Sequence, residues 1–136
     1  MLPSAARCFA AMTAVDTNVV VRLLTGDDPA RSLFAAGPIW IAKTVLLETS
    51  WVLKSVYGFE DAPVRDALTK LLGLKNVHAE DKPSIAAALA LTAHGLELAD
   101  AIHLASRPPG AAFVSFDQPF VRRANRAGAS NVATLL

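Results

Sequence analysis

The chain carries 136 residues, 53% of them hydrophobic, with mean hydropathy +0.38, a formal net charge of +1 and a single cysteine, Cys8. That length suits one compact domain burying roughly two-thirds of the surface its unfolded form exposes. The charge excludes a general polyanion-binding surface, so any nucleic-acid contact must rest on local basic clusters. A lone cysteine excludes an intrachain disulfide or a cysteine-based zinc cage and fits a reducing cytoplasm.

In chain order, "MLPSAARCFAAM" has one arginine and too short an apolar centre for a secretory signal, so residues 1–12 read as an unstructured extension, with Met12 an alternative start. Thr13 to Val15 is a short strand and Val19 to Leu24 a short helix, ended by the turn "TGDDP". Ala30 to Ala36 allows one or two helical turns. Gly37 and Pro38 punctuate, and "IWIA" (Ile39 to Ala42) reads as a buried strand. Thr44 is placed to cap a helix running to about Tyr57 and stopped by Gly58. Pro63 opens a helix that Gly73 ends, and Val77 to Ala79 is a strand candidate.

Pro83 to His94 is an alanine-rich helix ended by Gly95. The uncharged stretch from Pro83 to Leu96 falls short of the ~20 apolar residues a membrane helix needs. Leu98 to Ser106 is helical, "RPPG" breaks it, and Ala112 to Phe116 is a strand. A basic helix follows from Phe120 to Ala127, and Asn131 to Leu135 is a last strand. Strands separated by helices, apolar without clean alternation, indicate α/β architecture with a parallel sheet covered on both faces. The surplus of apolar residues points to a surface that a partner or second copy covers.

Four carboxylates stand where packing alone would choose otherwise. Asp16 and Asp117 each follow an apolar strand, and ligands of such sheets bind beyond the strands' carboxyl ends. Glu48 has Val45, Trp51 and Val52 at spacings that share its helix face, which places it on an apolar face. Asp100 lies among Leu96, Ala99, Ala101, Ile102 and Leu104. Three have a plainer reading as helix caps: Asp16 before its helix, Asp117 before "QPF", and Asp100 before a helix beginning at Ala101. Glu48, in mid-helix, caps nothing. The other acids, Asp27, Asp28, Glu60, Asp61, Glu80 and Asp81, fall in turns and loops and read as solvated.

If the four converge, repulsion forbids all being ionised without compensation. A hard divalent cation supplies it, and all-oxygen ligation suits Mg²⁺ or Mn²⁺. Such an ion lowers the pKa of a bound water and stabilises charge on a phosphoryl group, which makes phosphodiester hydrolysis the chemistry to expect.

The stretches "VDTNVVVRLLTGDDP", "TVLLETSWVLKSVYGF", "LELADAIHLA" and "FVSFDQPFVRRA" resemble the PIN-domain nucleases, specifically VapC-type toxins of prokaryotic toxin–antitoxin pairs. The likeness runs from about Thr13 to the C-terminus, making residues 13–136 a single PIN domain. It implies a three-layer α/β/α sandwich with a central parallel sheet. It also implies a cytoplasmic, Mg²⁺- or Mn²⁺-dependent ribonuclease that cleaves RNA by metal-activated water. Its partners would be a second copy and a cognate VapB-type antitoxin whose tail lies over the active site. The family's acidic residues fall on Asp16, Glu48, Asp100 and Asp117, as both metal ligands and catalytic groups. The stretch from Ala30 to Gly37 looks shorter than in most relatives, which bears on dimer and antitoxin contacts.

Asn18 and Ser115 are placed to orient Asp16 and Asp117, though turn chemistry explains them as well. Arg22, Lys43, Lys54 and Arg122 are candidate RNA-phosphate contacts, whereas Arg123 and Arg126 read as a solvated face. His103 reads as a packed or capping residue, and Trp40 and Trp51 as core. A dehalogenase-type phosphatase would carry a second aspartate where Asn18 stands, and a dinucleotide enzyme would carry G-x-G-x-x-G after the first strand. The serious alternative is a catalytically inactive PIN-like module that binds RNA or protein without cutting.

Overall fold

A computed structural model describes residues 12–135; the expected N-terminal extension, save Met12, and Cys8 lie outside them. The chain resolves into two compact units, one ending at Lys82 and one beginning at Pro83.

The first unit holds β1 (Thr13–Ala14), α1 (Thr17–Leu24), α2 (Asp28–Ala36), β2 (Ile39–Ile41), α3 (Lys43–Ser55), α4 (Asp61–Leu72) and β3 (Val77–Ala79). Its strands pair in parallel in the order β1-β2-β3, with Thr13 opposite Ile39 and Ile39 opposite Val77. Parallel neighbours need long crossovers, which α1–α2 and α3–α4 supply. Ile39 and Ile41 of β2 are buried, and with Val20, Leu46, Leu53, Leu68 and Leu71 they are among the most buried side chains of the unit.

Two helices begin otherwise than expected. The α2 helix covers the expected Ala30 to Ala36 and starts two residues earlier, making nine residues, because the Asp27 carboxylate accepts the Ala30 N–H at 3.1 Å and Pro29 presets the first turn. Asp27 is therefore a cap and half-buried, not a solvated turn residue. Thr44 does not cap α3, whose N-cap is Ala42 and makes no side-chain cap bond. Glu80, from beyond β3, accepts the Lys43 N–H at 3.0 Å and serves that helix end instead. Helix α4 starts two residues before Pro63, with Glu60 as N-cap and Asp61 in its first turn. Asn76 donates to the carbonyls of Phe34 and Gly37, tying the end of α2 to the approach of β3.

The second unit continues with α5 (Lys82–Thr92, beginning at the boundary), α6 (Leu98–Ala105), β4 (Phe113–Ser115), α7 (Gln118–Arg126) and β5 (Val132–Thr134). Strands β4 and β5 pair in parallel, Phe113 opposite Val132 and Ser115 opposite Thr134, with α7 as the crossover. Ala88, Ala101, Leu104, Phe120, Val121 and Ala124 are buried, and the Phe113 and Phe120 rings pack 5.6 Å apart. Arg107 ties the approaches of β4 and β5 by donating to the carbonyls of Ala111 at 3.1 Å and Ser130 at 2.7 Å. Both units are α/β with wholly parallel strands, as expected. No helix among the described residues is long and apolar enough to cross a membrane.

Candidate functional site

In the first unit, β1 ends and Asp16 turns the chain into α1. Its backbone is extended (φ −94°, ψ 179°) and its Oδ1 accepts the Val19 N–H at 3.1 Å. The capping role is thus real, and it fixes the carboxylate at the carboxyl end of a parallel strand while using one of its two oxygens. The next residue, Thr17, donates its hydroxyl to Glu48 Oε1 at 2.9 Å, across 31 residues of chain. Helix α1 packs on α3, so this bond joins the two candidate acids' supports.

Glu48 does not lie on a buried face. It is exposed, while α3 buries Leu46, Thr49, Ser50 and Leu53. Two hydroxyl residues occupy the buried stripe, where a helix can satisfy such groups itself: Thr49 donates to the Val45 carbonyl at 2.7 Å. Trp51 is correspondingly not core but 65% exposed. Trp40 is half-buried on β2. Asn18 is exposed, and Thr17 rather than Asn18 makes the bond to an acid from another helix. Replacing Thr17 by Val keeps its shape and removes the donor. Were Glu48 a ligand of Mg²⁺ or Mn²⁺, loss of this supporting bond would cost about 10- to 100-fold in metal affinity. Mn²⁺ binding to Thr17→Val, measured by calorimetry, should therefore weaken by at least about tenfold, with the melting temperature little changed.

Of the candidate phosphate-binding cations here, two are engaged. Lys43 Nζ lies 3.0 Å from Asp81 Oδ2, and Lys54 Nζ lies 2.6 Å from Asp61 Oδ1. Glu80, Asp81 and Asp61 are exposed, as expected of solvated acids, and each also has a partner. Arg22 is exposed in the last turn of α1.

In the second unit, Asp117 caps α7, accepting the Phe120 N–H at 3.1 Å on Oδ1. Ser115 supports it through the main chain: its hydroxyl accepts the Asp117 N–H at 3.0 Å. Asp100 does not cap a helix beginning at Ala101, since α6 begins at Leu98 with Glu97 as N-cap. Asp100 lies in the first turn, half-buried, and with Glu97 and Asp117 lines a cavity of about 150 Å³ also walled by Leu96, Phe120 and Arg123. Burial first, then repulsion from Glu97 and Asp117, raises the Asp100 carboxyl above its ordinary value of 3.8, partly offset by His103. His103 is exposed rather than packed. Glu97 is not among the acids that the sequence pattern singles out, although its position three residues before Asp100 is an available signal. Arg123, rather than Arg122, reaches the acidic cavity; Arg122 is exposed elsewhere on α7.

A family model described as PIN domain matches residues 13–125, spanning both units. The chain belongs to the PIN domain family. No curated protein matches it. PIN domains are generally nucleases that require metals, and the donor set of this one can be set against that requirement. Asp16, Glu48, Asp100 and Asp117 offer oxygen alone, the ligand chemistry of Mg²⁺ and Mn²⁺. The capping bonds of Asp16 and Asp117 each use one named oxygen. Burial first, and then the neighbouring Glu97 and Asp117 carboxylates, favour the neutral form of Asp100 in the metal-free protein. Among the described residues no group of three or more His, Cys, Asp or Glu side chains stands together as a ready metal cage. The fit of this PIN domain to a hard cation thus rests on donor chemistry.

Proposed function

We propose that this PIN domain is a metal-dependent ribonuclease of the VapC toxin type, with Asp16, Glu48, Asp100 and Asp117 as the ligands of Mg²⁺ or Mn²⁺. The observation that carries this reading is the PIN domain match over residues 13–125, within which Asp16 and Asp117 cap helices beyond strand ends and Asp100 lines a cavity with Glu97 and Asp117. When bound, the metal would activate water and offset charge on the phosphodiester. The chain's own residues do the positioning. The caps at Asp16 and Asp117 hold two carboxylates in place at strand ends. The Thr17 hydroxyl fixes Glu48, and the Ser115 hydroxyl fixes the backbone of Asp117. Preorganised ligands of this kind avoid reorganisation when charge develops.

The partners in this proposal are RNA, a second copy of the chain and a VapB-type antitoxin. An apolar groove of about 550 Å³ in the first unit, lined by Leu23, Leu24, Pro63, Leu71 and Leu74, supports a protein partner in addition to RNA. The test is incubation of purified protein with labelled RNA and Mn²⁺, against the same mixture with EDTA. Metal-dependent fragments are expected. Intact RNA that nevertheless binds the protein would favour the non-cutting PIN module instead.

A further inference from the structure

We infer that Trp51 is a stacking platform for a base of single-stranded RNA beside the Glu48 carboxylate, an inference that rests on the ribonuclease reading above. Trp51 is 65% exposed, and it lies on the side of α3 away from the buried stripe of Leu46, Thr49, Ser50 and Leu53. Folding therefore gives no account of the largest side chain in the helix. Glu48 stands three residues earlier, at the spacing of one helix face. Helical side chains lean toward the N-terminus and cover the turn before their own Cα, so the indole covers the turn that carries Glu48.

The surroundings distinguish a base from a protein partner. Along the Trp51 face the helix presents Thr44, Glu48, Lys54 and Ser55, all exposed and polar, with only Leu47 half-buried. A protein interface core is continuous apolar surface depleted of charge, and this face is a single indole among polar groups. Lys54, one turn on, adds a cation that is already aligned by Asp61. An aromatic face flanked by a cation and next to a carboxylate set for metal suits a strand whose base stacks while its phosphate approaches the acids. Single-stranded nucleic acids are held in this way, with little sequence preference. Duplex RNA keeps its bases stacked on one another and offers none to the indole.

The experiment uses the full chain with a single-stranded RNA of about 12 nucleotides, within the span such platforms cover, and, separately, the same sequence as a duplex. Binding is read without divalent metal from quenching of tryptophan fluorescence, as the difference between the parent and Trp51→Ala, which removes the contribution of Trp40. Cleavage is read with Mn²⁺. The single strand should quench Trp51 and the duplex should not. Alanine substitution of one stacked base platform costs about 5- to 150-fold. Trp51→Ala should therefore raise Kd and KM by at least about fivefold with kcat little changed, and Trp51→Phe should recover most of the loss. Equal affinity and KM in Trp51→Ala and parent would overturn the inference. So would a variant whose only change is its sedimentation coefficient, which would make Trp51 a contact between copies. If the parent cuts RNA while Trp51→Ala cuts it equally well, the stacking role falls and the ribonuclease stands. If Trp51 quenches on RNA and nothing is cut, the ribonuclease falls and the stacking role stands.

Discussion

Asp16→Asn and Glu48→Gln should each lower Mn²⁺-dependent RNA cleavage by at least about 100-fold while leaving the protein folded. Both changes keep size and hydrogen-bonding shape and remove only charge. In Asp16→Asn the side-chain carbonyl oxygen can still accept from the Val19 N–H, so the cap on α1 survives. In Glu48→Gln the amide carbonyl can still accept from the Thr17 hydroxyl. Glu48 is exposed, so its neutralisation leaves no buried group unpaired. What changes is the cation's anionic support. Metal stabilisation of a phosphoryl transition state is worth several kcal/mol, and each ~1.4 kcal/mol is tenfold in rate, which sets the lower bound. Initial rates at saturating RNA, with circular dichroism as the folding control, check it. Unimpaired cleavage in both variants would remove these residues from the chemistry.

Asp100→Asn should do two opposite things: abolish cleavage and stabilise the metal-free protein at neutral pH. Burial, then Glu97 and Asp117, hold the Asp100 carboxyl above its ordinary value, so the folded chain binds that proton more tightly than the unfolded chain does. A raised pKa gives stability that is complete below the unfolded value of 3.8 and is lost as pH rises through the folded value. At neutral pH the ionised Asp100 is therefore a destabilising charge, which asparagine removes. Thermal melts in EDTA should show the variant above the parent at neutral pH, with the gap closing as pH falls toward 3.8. Added Mn²⁺ should reverse the order, because a ligand bound only by the folded parent raises its melting temperature. A variant that melts lower than the parent at neutral pH in EDTA would show that Asp100 carries a structural bond instead.

Much of the fold lies open in the sequence because its punctuation is chemical. Val77–Ala79 falls on its strand, and Gly73 ends α4 where expected. The two capping acids are legible as well, since strand, acid and helix follow one another locally. What escapes is non-local. Nothing near Glu80 says that it will serve the Lys43 N–H from 37 residues away, and nothing near Thr17 points to Glu48. Glu48 reads onto the wrong face for a definite reason. Val45, Trp51 and Val52 make its flank look apolar, while the face that is buried carries Thr49 and Ser50, which periodicity reads as polar. Helix α2 reads short because Asp27 has the look of a turn residue, when in fact it begins the helix.

The nuclease proposal stands or falls on whether Asp16, Glu48, Asp100 and Asp117 are all ligands of the cation. Calorimetric titration of Mn²⁺ into the parent and the four variants Asp16→Asn, Glu48→Gln, Asp100→Asn and Asp117→Asn decides it. Each of the four should weaken the same binding event by about tenfold or more, as loss of one anionic ligand requires. Undiminished Mn²⁺ binding in Asp16→Asn and Glu48→Gln, with loss confined to Asp100→Asn and Asp117→Asn, would contradict it.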